Sequence, residues 1–126
     1  MMRLALAIAL GGAVGSVMRF FLGQWVVAQW PRHFYLGTLT VNVLGCLLIG
    51  VLSALFLMRS DLPVELRSGL IVGVLGGFTT FSSFSLELFK LFEGGRTAEA
   101  LAYLAVSVVT GILAVWAGFA LVRIYH

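Results

Sequence analysis

Gly73-Val74-Leu75-Gly76-Gly77-Phe78-Thr79-Thr80-Phe81-Ser82-Ser83-Phe84-Ser85 lies inside an apolar run from about Leu66 to Phe92. An α-helix needs about 20 apolar residues to cross roughly 30 Å of hydrocarbon, and this run is long enough. Its middle is nevertheless poorly suited to a continuous helix. Paired glycines have low helix propensity, and the hydroxyls that follow compete for backbone hydrogen bonds. The segment predicts a membrane span broken near Gly76 to Thr80. Lipid offers no partner to a freed amide or carbonyl, so a break at that depth survives only where something binds or packs. A glycine-rich packing face, with hydroxyls bonded back to their own helix, is the competing reading. The coincidence of glycines and hydroxyls weighs against it.

Three more runs have the length and apolarity of membrane helices: about Leu4 to Ala28, Leu36 to Met58 and Ala98 to Ile124. None alternates with the period of two that a barrel strand requires. The expected architecture is an all-α membrane protein of four transmembrane helices, forming one domain over residues 1–126, with spans at about 4–28, 36–58, 66–92 and 98–124. Pro31 and Pro63, the only prolines, fall in the first two links, where helices should stop. In the third link, Gly94-Gly95-Arg96, Thr97 is the expected N-cap, with Glu99 in the first turn. Short links make sequence neighbours antiparallel, as in an up-down-up-down bundle.

Composition agrees. Hydrophobic residues make up 61% of the 126 residues and charged residues 10%. A soluble chain this small leaves too much of its surface wet to hide that apolar area. The net charge of +3 comes from basic residues scattered singly, so no stripe exists to track phosphates and no nucleic-acid partner is expected. One cysteine, Cys46, offers neither an intrachain disulfide nor a metal site and reads as a small packing residue. Arg3 and the run up to Ser16 mimic a signal peptide, but the apolar stretch continues past Arg19, and a retained first span is expected.

Lys and Arg are nearly balanced between the two membrane faces. Arg3, Arg59, Arg67 and Arg123 would share one side, and Arg32, Lys90 and Arg96 the other. The positive-inside rule needs a clearer excess to set topology. On charge alone, two readings stay open: one weakly signalled orientation, or dual topology with an antiparallel homodimer. Glycines at four-residue spacing (Gly11 and Gly15; Gly69, Gly73 and Gly77) and the stripe Tyr103, Ser107, Thr110/Gly111, Ala114 and Gly118 permit close helix approach. That amount of close packing argues for a tight dimer.

Polar groups within the spans carry the chemistry. Thr38, Asn42 and Cys46 share one face of the second helix. Asn42 offers two donors at mid-membrane, and an interhelical hydrogen bond is its simplest use. Freed carbonyls near Gly76 to Thr80 suit a cation, and the start of the following half-helix suits an anion. Phe81 and Phe84 point the same way. They either fill a core or turn their positive ring edges toward a small anion. Arg19 either snorkels or attracts anions in a vestibule. For Glu87 a surface pair with Lys90 is the simplest account, and beside an anion path the carboxylate would have to protonate or gate. His33 lies in a link and His126 at the end, and no catalytic or metal-ligand constellation appears, so an enzyme is not expected.

The segments Gly11-Gly12-Ala13-Val14-Gly15-Ser16-Val17-Met18-Arg19-Phe20, Gly37-Thr38-Leu39-Thr40-Val41-Asn42 and Gly76 through Ser85 resemble the CrcB/Fluc family of fluoride channels over essentially the whole chain. Where that family usually has Ser-Thr-Phe, this chain has Ser82-Ser83-Phe84. The resemblance implies a fluoride-selective channel in the cell's inner or plasma membrane. It would export cytoplasmic fluoride passively, as an antiparallel dual-topology homodimer in the lipid bilayer. It also implies pore roles for Asn42, Phe81, Phe84 and Ser82, a polar track of Thr38, Tyr103 and Ser107, and vestibule positions for Arg19 and Glu87. A structural sodium ion at the dimer interface would take the backbone carbonyls of Gly76 and Thr79. Fluoride holds its water tightly, so such a pore must replace those waters with donors while binding weakly enough to release the ion. A dual-topology exporter of the small multidrug-resistance type has similar size and charge balance. It requires a glutamate in the first span, where this chain carries Arg19. A non-transporting scaffold would account for the glycines but not for the third span.

Overall fold

The computed structural model describes all residues from Met1 to His126. Four helical stretches are long and apolar enough to cross a membrane: Met2–Gln29, Leu36–Met58, Val64–Glu93 and Thr97–Tyr125. We label the first two α1 and α2 and the last α6. The third span is composite. It runs through α3 (Val64–Ser68), a π-helical segment (Gly69–Leu75) and α4 (Gly76–Phe78), then breaks and resumes as α5 (Phe81–Glu93). The break was legible in the sequence; the widened π turns before it were not, because no residue type marks them.

Only 19 of the 126 residues are buried, and none of them is polar or charged. Phe20, Phe21, Trp25, Trp116 and many other large apolar side chains lie on the outside. That distribution is inverted for water and natural for lipid. The chain is a multi-pass membrane protein.

Glycine sets the spacing between helices. A Cβ on Gly11 would collide with the Gly69 carbonyl, and one on Gly15 with the Val74 carbonyl. From the other side, a Cβ on Gly73 would come within 2.8 Å of the Ile8 carbonyl, and one on Gly77 within 2.6 Å of the Gly12 carbonyl. Thus α1 and the first half of the third span touch backbone to backbone. A second seam joins α2 and α6, where Gly50 faces the Val115 carbonyl and Gly118 the Leu47 carbonyl. These seams are spent inside one subunit, so the glycine spacing does not in itself call for a second copy.

The break redirects the third span. Its first half leans on α1, and α5 leans on α6. There Tyr35, Phe84, Leu91, Ala100 and Tyr103 form the one buried cluster of large side chains. In the third link, Gly95 has φ +74°, which makes the turn into α6 cheap for glycine. Thr97 is the first helical residue rather than the cap. The cap position belongs to Arg96, and no side chain caps it.

Gly15→Ala should therefore destabilise the protein by about 3 kcal/mol, because the new methyl meets backbone that cannot move aside. Gly23, whose added Cβ would meet nothing within 4 Å, is the control. Gly23→Ala should be neutral or stabilising by up to about 1 kcal/mol. Thermal unfolding of the two purified variants in detergent measures the contrast.

Candidate functional site

Thr79 and Thr80 make the break. Thr79 has φ −92° and ψ 158°, and Thr80 has φ −151° and ψ 120°. Two extended residues in mid-span release several backbone groups, and side chains take up four of them. Asn42 on α2 takes both polar groups of Thr80: its Oδ1 accepts from the Thr80 N–H at 2.8 Å, and its Nδ2 donates to the Thr80 carbonyl at 3.0 Å. Arg19 on α1 donates from Nε to the Gly77 carbonyl at 3.0 Å. Thr80 also caps α5, its Oγ1 accepting from the Ser83 N–H at 3.1 Å, as N-cap threonines do. Gly45 leaves room on α2 for the Thr79 methyl group.

These diversions leave two carbonyls without their helical donors. The N–H four residues beyond Gly76 is that of Thr80, which serves Asn42. The N–H four residues beyond Thr79 is that of Ser83, which serves Thr80 Oγ1. Gly76 and Thr79 are the residues whose carbonyls the family resemblance assigns to sodium. Freed peptide oxygens are the hard donors an alkali cation prefers. No group of three His, Cys, Asp or Glu is present to hold a metal. The residues fit the ion in donor chemistry, and one subunit supplies two such oxygens.

Two cavities flank the break, and Thr80 lines both. One, of ≈ 380 Å³, brings together Asn42, Cys46, Gly76, Thr79, Phe81, Phe84 and Ser107. The Ser107 hydroxyl is buried there without a hydrogen-bond partner. Phe81 and Phe84 have ring centroids 5.8 Å apart. Phe84 is 7% exposed and packed in the core, whereas Phe81 is 78% exposed. The other cavity, of ≈ 310 Å³, is lined by Arg19, Thr38, Thr80, Ser83 and Glu87, among others. The guanidinium nitrogens of Arg19 other than Nε make no hydrogen bond within the chain. Arg19 does not snorkel. It is anchored on the break, and its charge is presented to this cavity.

Glu87 corrects the sequence reading. It forms no pair with Lys90; it accepts from Thr38 Oγ1 at 2.8 Å and from Tyr103 Oη at 2.8 Å. Thr38 and Tyr103 are therefore brought together on a carboxylate. Ser107, the third member of the expected polar track, lies apart from them on the other cavity. Ser82 lies exposed at the start of α5, its Oγ 3.3 Å from Thr80 Oγ1, outside both cavities. Thr80 itself was not singled out from the sequence. Its signal was available, since a Thr just before a renewed helix reads as a cap.

Four spans, the third of them broken, with polar side chains gathered at mid-membrane, define a membrane protein of the channel or transporter class. The profile described as "CrcB-like protein, Camphor Resistance (CrcB)" matches residues 6–119, and the chain belongs to that family. It is 58% identical to a protein of Stutzerimonas stutzeri and 56% identical to one of Pseudomonas fluorescens. In both comparisons the match covers 98% of this chain and 100% of the relative. A protein of Azotobacter vinelandii is 52% identical over the same shares. All three relatives bear the name "Fluoride-specific ion channel FluC".

Asn42→Ala removes both bonds to Thr80 and leaves a half-buried N–H and C=O without partners. It should cost about 2 kcal/mol of stability, since a hydrogen bond between membrane helices is worth roughly 1 kcal/mol. Asn42→Asp keeps the acceptor, loses the donor, and should fall between Ala and wild type. Equilibrium unfolding in mixed micelles gives the order.

Proposed function

We propose that this protein is a channel that lets fluoride leave the cytoplasm passively, and that it is not an enzyme. The observation that carries this reading is identity of 56–58% over 98% of the chain with proteins named as fluoride-specific channels. The geometry supports it. The larger cavity offers a small anion the Ser107 hydroxyl, the second N–H of Asn42 and two phenyl rings. A phenyl edge carries partial positive charge and attracts an anion without trapping it. On the other side of the break, Arg19 supplies a full positive charge, fit to gather anions ahead of the narrow part.

The conducting unit we propose is an antiparallel homodimer of subunits inserted both ways. It rests on the balanced Lys and Arg and on Phe81, a residue of the matched motif left largely uncovered beside the cavity. A second copy over that face would complete the wall. The same pairing would bring four carbonyls, from Gly76 and Thr79 of each subunit, to one sodium ion, which would fix the two breaks to each other. The small multidrug-resistance reading has no support here, since the first span carries Arg19 bound to Gly77 where an exporter of that kind needs a glutamate.

Fluoride efflux from liposomes holding the purified protein, with chloride as control, tests the function. The expected result is fluoride release with little chloride release. Equal release of both, or none of either, overturns the reading. Phe81→Ile sharpens the test, because Phe81 is exposed in the subunit and its loss should leave the subunit fold intact. A ring contact is worth about 1 kcal/mol, yet flux per folded protein should fall at least tenfold, because one lost site in a single-file path stops every ion. Phe84→Ile should lower both flux and stability, since Phe84 also packs against Tyr103.

A further inference from the structure

The aromatic contacts that begin at the cavity continue to the membrane surface. Phe84 meets Tyr103 edge to face, with centroids 5.1 Å apart. Tyr103 in turn lies under Tyr35, at 4.7 Å and a tilt of 33°. Tyr35 closes the first link as the N-cap residue of α2 and is 8% exposed. Its hydroxyl donates to Glu99 Oε2 at 2.5 Å. Arg96 grips the same carboxylate through Nε at 3.0 Å and Nη2 at 2.5 Å. Glu99 and Tyr103 are four residues apart, so they share a face of α6. Tyr35 therefore bears on that face at two points, with its hydroxyl on Glu99 and its ring on Tyr103.

Those two contacts, together with Phe84 packed against the same ring, leave the Tyr103 ring little freedom. The Tyr103 hydroxyl is one of the two donors on Glu87, and Glu87 lines the Arg19 cavity. We infer that Tyr35 is a positioning residue for ion passage: anchored on the Glu99–Arg96 pair, it holds Tyr103 so that its hydroxyl stays on Glu87. The inference rests on the fluoride-channel reading. Burial, and then the Glu99 carboxylate, push the Tyr35 hydroxyl up to about 12, so it remains a donor throughout the physiological range.

The test is fluoride efflux per folded protein for Tyr35→Phe, Glu99→Leu and Glu99→Gln, each made also in a Tyr103→Phe background. Tyr35→Phe keeps the ring and removes the anchor, and should lower flux at least about tenfold, the low end of the scale of one hydrogen bond to a charged group. Glu99→Leu should match it, whereas Glu99→Gln, which still offers an acceptor, should restore most of the flux. In the Tyr103→Phe background the Tyr35 and Glu99 changes should have no further effect, because the hydroxyl they position is gone. A purely structural role would lower melting temperature and reduce flux by the same factor in both backgrounds, and that result overturns the inference. So does wild-type flux in Tyr35→Phe. Absence of fluoride flux in the wild type overturns the functional reading and this inference with it.

Discussion

The paired hydrogen bonds between the Asn42 amide and the backbone of Thr80 are the contact on which the rest of the site depends. In hydrocarbon, an interrupted helix must find partners for its released groups within the protein. The Asn42 side chain is itself an amide, so it serves both backbone groups of one residue, accepting from the Thr80 N–H and donating to the Thr80 C=O. Once those two groups are claimed, the Gly76 carbonyl loses its helical donor, Thr80 is free to cap α5, and α5 can swing onto α6. Arg19 takes up the Gly77 carbonyl. The freed carbonyls, the start of α5 with its two phenylalanines, and the cavities on either side are consequences of one side chain at mid-membrane.

Lipid as solvent explains the distribution of the other residues. There is little hydrophobic drive between helices in a bilayer, so association depends on close backbone approach, and the glycines of α1, α2, α6 and the first half of the third span supply it. This corrects the inference from glycine spacing to a dimer, because those seams are consumed within the subunit. What remains uncovered beside the site is Phe81, and the case for a second copy rests there and on the charge balance.

The sequence was most informative where one residue type has one physical use. Four apolar runs, two prolines in links and a glycine-hydroxyl cluster sufficed for the spans and the broken third helix. Asn42 was recognisable as a mid-membrane donor, though the backbone unit it holds was not. The pairing of Glu87 with Lys90 failed, because the three-residue spacing is local while its actual partners, Thr38 and Tyr103, come from other helices. Tyr35 escaped notice for a similar reason: an aromatic at a membrane surface is ordinary, and its double contact with α6 exists only after folding. Spacing along one helix reports which residues share a face; it does not report what that face meets.

Backbone chemical shifts of Thr79 and Thr80, measured by solid-state NMR on fluoride-conducting protein in lipid, test the central claim directly. Extended-region carbon shifts are expected at both residues within an otherwise helical span, together with a correlation between the Thr80 amide and the Asn42 side chain. Helical shifts running unbroken through Thr80 would contradict it.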